Sequence, residues 1–341
     1  MIFKLPICIP RIALRAFFPL AFTLFYNATI FGQDLKSYYY EINLAELQIV
    51  LGNYKEANEH YLMAFKYNPE NEKDLYNSFL ISYFIKDTAL ATVRLQKLAY
   101  FGLPKEYIEC KLQTREYFIT LCKMANFDSC RNEGWKAADK KLLQELEQLI
   151  ILDQSRGAEA IHLKTESERK RILSQIDKKT MDTMLKIIKK YGWPSFHQIG
   201  YWLNNANPLS NNSAFELTMW HNRFRTNIMD YFAINAIKAG NFRPDIWAKH
   251  ILSRNMLGIK KFNDYGYHVT VWDIKDIPHQ KLKKYDAARK EIFLESLTDY
   301  FQKFQYQSTN NLEFGGDSIK SIFGFVHPIL IPRPGQEALY N

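Results

Sequence analysis

Asp153, His221, Arg254 and Tyr265 are the side chains of this sequence that could together move a proton and hold an anion. An imidazole serves as general base at ordinary pH, a carboxylate orients it, a guanidinium binds an oxyanion in its planar fork, and a phenol donates a hydrogen bond. The four are far apart along the chain, so each must be carried by its own helix or turn. Gln154, Arg156, Trp193 and Trp220 flank them and are the candidate binding residues. The competing reading is purely structural: Asp153 pairs with Arg156 or Arg254, and His221 is a satisfied core residue.

Other chemistries leave no trace. Six of the eight histidines (His162, His197, His221, His250, His268 and His279) fall within residues 136–305, but none forms a His-x-x-x-His pair and there is no Cys-x-x-Cys, so no metal is expected. Without a phosphate-cradling glycine loop, a dinucleotide fingerprint or a Gly-x-Ser-x-Gly elbow, no cofactor is expected either. The net charge of +9 falls to +6 when Lys4, Arg11 and Arg15 are set aside. That excess is spread out; Arg169-Lys170-Arg171 reads as a solvated helix face, and nucleic acid is not an expected partner.

The order of Gly-Trp-Pro at 192–194, Gly200, His221, Arg254 and Tyr265-Gly266, behind Asp153-Gln154 and Arg156, carries a family resemblance. It continues with Asp286-x-x-Arg289 and Leu297-x-x-Tyr300. Over about Leu142 to Phe304 the chain resembles an uncharacterised bacterial domain of unknown function. That family usually shows Gln before its His, Asp before its Arg and Thr after Tyr-Gly; here Trp220, Ser253 and Tyr267 stand instead. The resemblance implies a helical fold and a polar region of interest, and the departures imply that an ancestral activity has been lost in part.

The elements that would position these residues follow from periodicity. Leu142, Leu146, Leu149 and Ile150 form one helical stripe; Ile172, Ile176, Met181, Leu185 and Ile188 form another, ended by Gly192 and Pro194. A long helix over Ser213–Ala239 would carry His221, and one over Asp245–Leu257 would carry Arg254. Residues 262–272 read as a turn into a small β or extended element. The aromatic residues Tyr201, Trp202, Phe215, Trp220 and Phe224 read as core.

Ahead of this part, residues 34–135 read as helical pairs. Gly52 closes one helix and Pro69 follows the next, with Ala57, Tyr61 and Ala64 on the packing face. Thirty-four residues on stand Ala91, Leu95 and Leu98, the period of a tetratricopeptide repeat. The second copy, Glu72–Ile85 with Thr88–Phe101, has Lys86 where glycine is expected, and a third pair is suggested over Lys105–Met124. Such a stack offers a groove for a protein or peptide.

The first 33 residues have the order of a secretory signal peptide: three basic residues, an apolar run from Ala16 to Tyr26, and a cut expected after Gly32. The run is shorter than the ~20 apolar residues of a membrane span. The expected location is therefore exported, periplasmic or secreted, with no stable span after cleavage; an uncleaved anchor is the alternative. Cys110, Cys122 and Cys130 then remain, and their spacing favours reduced thiols over a disulfide framework. Residues 306–341, with Ile319, Phe323, Phe325 and Ile329–Ile331, are expected to pack back as an extended tail.

The expectation is thus a mainly α protein: a helical-pair stack at 34–135, a helical domain at 136–305 and a tail. Its function is expected to be protein or peptide binding. The alternative is a hydrolase-like enzyme centred on His221.

Overall fold

The computed structural model describes residues 34–109, 112, 115–160, 162, 165–203, 213–222, 228–256, 265–266 and 277–311. The chain is mainly α, and among the described residues there is no strand. The expected signal segment, most of the 262–272 element, the 312–341 part of the tail, Cys110, Ser253 and Tyr267 lie outside the described residues or have undescribed side chains.

The first four helices are α1 (Leu35–Leu51), α2 (Tyr54–Tyr67), α3 (Glu72–Phe84) and α4 (Thr88–Tyr100). Their starts are set by short polar caps that satisfy otherwise orphaned backbone N–H groups. Asp34 accepts from Ser37 N at 3.0 Å, Asn71 from Asp74 N at 2.9 Å and Asp87 from Leu90 N at 3.0 Å. α1 pairs with α2, and α3 with α4. The 34-residue correspondence holds in burial: Ala57 and Ala91, Tyr61 and Leu95, and Ala64 and Leu98 are all fully buried. The turn inside each pair needs a left-handed residue. Gly52 supplies it at φ 80, and Lys86 adopts φ 57 at the equivalent place despite its side chain.

After the short α5 (Lys105–Glu109), the next helices are α6 (Arg115–Met124) and α7 (Phe127–Ala137). α5 and α6 occupy the expected 105–124 span, α5 being little more than one turn long. The turn between α6 and α7 is at Asn126, again left-handed at φ 50. α7 lies against α4 so closely that a Cβ on Gly134 would stand 1.6 Å from the Tyr100 carbonyl oxygen.

The second part comprises α8 (Lys140–Ala160), α9 (Glu166–Tyr191), α10 (Phe196–Ile199), α11 (Ser213–His221), α12 (Ile228–Lys238), α13 (Pro244–Met256), α14 (His279–Glu291) and α15 (Leu297–Asn311). α8 and α9 pack together, with Leu142, Leu146, Leu149, Ile176, Met181 and Ile188 buried as their stripes require, and α11 rests on both. The described helices of the 213–239 stretch are α11, of which His221 is the last residue, and α12; residues 223–227 between them lie outside the described residues. α15 continues to Asn311, past the expected end of the second part at 305, and lies on α1. A single apolar cluster runs from Tyr38 to Phe301 and so includes both parts.

The two parts are also tied by charge. Lys303 Nζ sits 2.7 Å from Glu46 Oε2 and 3.4 Å from Glu295 Oε1, and Lys73 Nζ sits 2.7 Å from Glu46 Oε1. Arg243 lies 3.3 Å from Glu72 and 2.5 Å from Asp245. Tyr38 donates its hydroxyl hydrogen to Asp74 at 2.7 Å. Burial on this scale is tolerable only because the charges are paired. Among the described residues no helix is long and apolar enough to cross a membrane.

Candidate functional site

α8, α9 and α11 are apolar over most of their mutual surface, but at one level the packing turns polar. Asp153 of α8 is wholly buried, and the His221 side chain, at the end of α11, is 26% exposed. His221 Nδ1 stands 2.8 Å from each Asp153 carboxylate oxygen. Gln154 Nε2 donates to Asp153 Oδ2 at 3.1 Å. On the α9 side of the same layer, Arg156 Nε lies 3.2 Å from Asp177 Oδ1, and Asn222 donates to Thr180 Oγ1 at 3.3 Å and to the Thr218 carbonyl at 3.0 Å. Asp177, Thr180 and Asn222 are all buried. Two atoms of the layer, Thr218 Oγ1 and Asn222 Oδ1, are buried without a hydrogen-bond partner among the described residues.

The geometry constrains the imidazole. In its neutral form a carboxylate held against Nδ1 selects the tautomer with hydrogen on that nitrogen, which leaves the Nε2 lone pair to take a proton. Trp220, expected in the core, is instead 42% exposed.

The other expected site residues are used differently. Arg254 is 2% exposed and donates to Asp230 Oδ1 on α12 at 2.6 Å. Burial pushes the Asp230 carboxyl upward, against the pull of Arg254. Tyr265 is 5% exposed, lies by the Trp247 indole, and has its phenol raised by burial; its carbonyl accepts from Arg289 Nη1 at 3.0 Å. The structure therefore brings Asp153, Gln154 and His221 together and gives Arg254 and Tyr265 to buried contacts elsewhere. Arg156 is committed to Asp177. Trp193 is core: it packs on Phe215 at 5.2 Å and Phe242 at 4.6 Å between ring centroids.

No group of three or more His, Cys, Asp or Glu side chains among the described residues could hold a metal ion. Cys122 and Cys130 are free thiols. Burial raises both, Cys122 to about 11, so neither is an activated nucleophile.

The sequence reading missed a second polar assembly, around Glu46, Glu72, Asp74, Arg243, Asp245 and Lys303. Its signal is faint, because Glu46, Glu72 and Asp74 lie on helices with ordinary amphipathic patterns and only tertiary packing pairs them.

No protein-family model, curated protein or solved structure matches the chain.

Proposed function

We propose that His221 and Asp153 form the acid–base pair of a hydrolase-like site in an exported helical protein. One observation carries this reading: a partly exposed imidazole is fixed through Nδ1 by both oxygens of a fully buried carboxylate. That arrangement leaves Nε2 as the proton acceptor for water or a substrate hydroxyl, the role of a general base. Gln154 helps hold the carboxylate, and Trp220 offers an apolar surface to a substrate. The resemblance of residues 142–304 to a bacterial domain of unknown function supports a shared helical frame for this layer. The departures at Trp220, Ser253 and Tyr267 from the pattern of the domain it resembles fit a chemistry altered from that domain's.

The purified chain, from Gln33 onward, is to be assayed against chromogenic esters, phosphoesters, glycosides and peptides. His221→Ala should lower any activity found by ~100-fold or more, the usual scale of a lost general base. Asp153→Asn should lower it and change the pH profile. Activity that survives His221→Ala ends this reading, as does inertness of the wild-type chain across the panel. N-terminal sequencing of protein recovered outside the cytoplasm should find Gln33 first; an intact N-terminus there would favour the anchored form.

A second reading, that the front of the chain is a tetratricopeptide-like stack that binds a peptide, is favoured by the 34-residue recurrence of Ala57, Tyr61 and Ala64 as Ala91, Leu95 and Leu98. Exposed Leu62, Met63 and Val93 on α2 and α4 add apolar surface to that stack. A fluorescent peptide library titrated against the chain tests it; saturable binding lost in Leu62→Glu supports it, and no saturable ligand removes it.

A further inference from the structure

The α2–α3 connection and the segment around Gly240–Arg243 meet at a partly open hollow of ≈ 40 Å³. From its lining we infer a second binding site, one that seats the ammonium head of a small primary amine. None of the residues of the His221 layer lines it, and it stands or falls independently of that site.

Size is the first constraint. That volume is room for the centres of water-sized groups, of which one needs only ~10–15 Å³, so the hollow readily admits an ammonium head with its carbon tail directed outward.

Charge is the second. Glu70 and Glu72 line the hollow, and Asp245 stands behind Arg243. Their counter-ions are Lys97, which pairs with Glu70, and Arg243, held between Glu72 and Asp245. Lys73 also acts on Asp245 but is itself held by Glu46 and Asp74, so carboxylates outnumber cations around Arg243. An anion is disfavoured, since the one cation in the lining, Arg243, is already bracketed by two carboxylates.

Hydrogen bonding is the third. Asn68 Nδ2 donates to the Pro69 carbonyl at 2.9 Å, while Asn68 Oδ1 is buried and accepts from no described residue. A buried amide oxygen left in this state calls for a donor. The space beside it is kept by Gly240, at which a Cβ would come within 3.5 Å of that oxygen. An ammonium offers three donors and no acceptor, which suits an open amide oxygen next to two carboxylates. Tyr39, Phe196 and Phe242 complete the wall.

The test is calorimetric titration and thermal unfolding of the full chain with ethylammonium chloride. Ethanol serves as the neutral counterpart, and sodium chloride matches ionic strength. Ethylammonium alone should bind saturably, in the millimolar range expected of so small a ligand, and raise the unfolding temperature. Glu70→Gln, which keeps the shape and removes one negative charge, should weaken binding by about tenfold. Asn68→Leu should abolish it, and His221→Ala should leave it unchanged. If Asn68→Leu does not fold, Glu70→Gln decides alone. The inference is overturned if ethylammonium shows no saturation, if ethanol matches it, or if folded Asn68→Leu and Glu70→Gln bind as well as wild type.

Discussion

Lys303, on the last described helix, and Glu46, on the first, meet at 2.7 Å with 2% and 1% of their side chains exposed. They are separated by 257 positions in sequence, yet each is the other's nearest counter-charge beside Glu295 and Lys73. Removing one member leaves its partners buried with the wrong charge balance.

Lys303→Met should therefore destabilise the protein by about 3 kcal/mol, the lower end for breaking a buried ion pair. Glu46→Gln combined with Lys303→Met should be less destabilising than Lys303→Met alone. Urea unfolding followed by tryptophan fluorescence measures both. Equal midpoints for wild type and Lys303→Met would mean that the pair holds nothing together.

Asp74 gives a pH dependence with a definite sign. Burial raises its carboxyl to about 6, against the opposing pull of Lys73, with Glu46 adding to the rise and the Tyr38 hydroxyl and Arg243 lowering it. A folded pKa above the unfolded value means that the fold binds the proton more tightly. The associated stability is fully present below about pH 4 and is lost as pH rises through 6. The side chains facing this group are Tyr38, Tyr39 and Glu46 from α1, Tyr61 from α2, Lys73 from α3, and Arg243 with Asp245 at the start of α13. Asp74→Asn keeps an acceptor for Tyr38 but does not titrate. Relative to wild type it should gain stability between pH 5 and 7.5, which paired denaturant curves at the two pH values will detect. A constant difference between the two proteins would refute the assignment.

Lys86 holds a left-handed backbone in the turn between α3 and α4, as Gly52 does between α1 and α2. Relief of that conformation is worth about 1–2 kcal/mol, and glycine returns about 0.5–1 kcal/mol of it through greater freedom in the unfolded chain. Lys86→Gly should stabilise by a net ~0.5 kcal/mol and Lys86→Val should destabilise, both read from the thermal midpoint.

Gly134 tolerates no side chain. A methyl group there would overlap the Tyr100 carbonyl, a rigid backbone atom on a neighbouring helix. Gly134→Ala should cost about 3 kcal/mol, since α4 and α7 must move apart. Gly157→Ala, where a Cβ meets nothing within 4 Å, is the matched control and should be neutral or slightly stabilising.

These cases also separate what was legible in the sequence from what was not. Helix faces were legible, since Leu142, Leu146 and Leu149 declare one by spacing alone. The buried faces of Ala57, Tyr61 and Ala64 and of Ala91, Leu95 and Leu98 were legible for the same reason, whereas the left-handed turn at Lys86, where no glycine stands, was not. Asp153 and His221 could be named from residue type, but their meeting depends on how α11 rests on α8. Arg254 and Tyr265 have the same residue-level credentials and are drawn into Asp230 and Arg289 contacts instead. Periodicity tells which side of a helix is inward and is silent on which inward polar group finds which.

The link between Lys303 and Glu46, with that between Arg243 and Glu72, bears on how such a chain can evolve. Helical-pair stacks are usually regarded as interchangeable parts, gained, lost or swapped by recombination. Here an exchange of the front segment would deliver a back segment whose Lys303 and Arg243 had each lost a carboxylate partner inside the protein. The halves must therefore be inherited together, and a chimera built across residue 135 needs Glu46 and Glu72 transplanted with it.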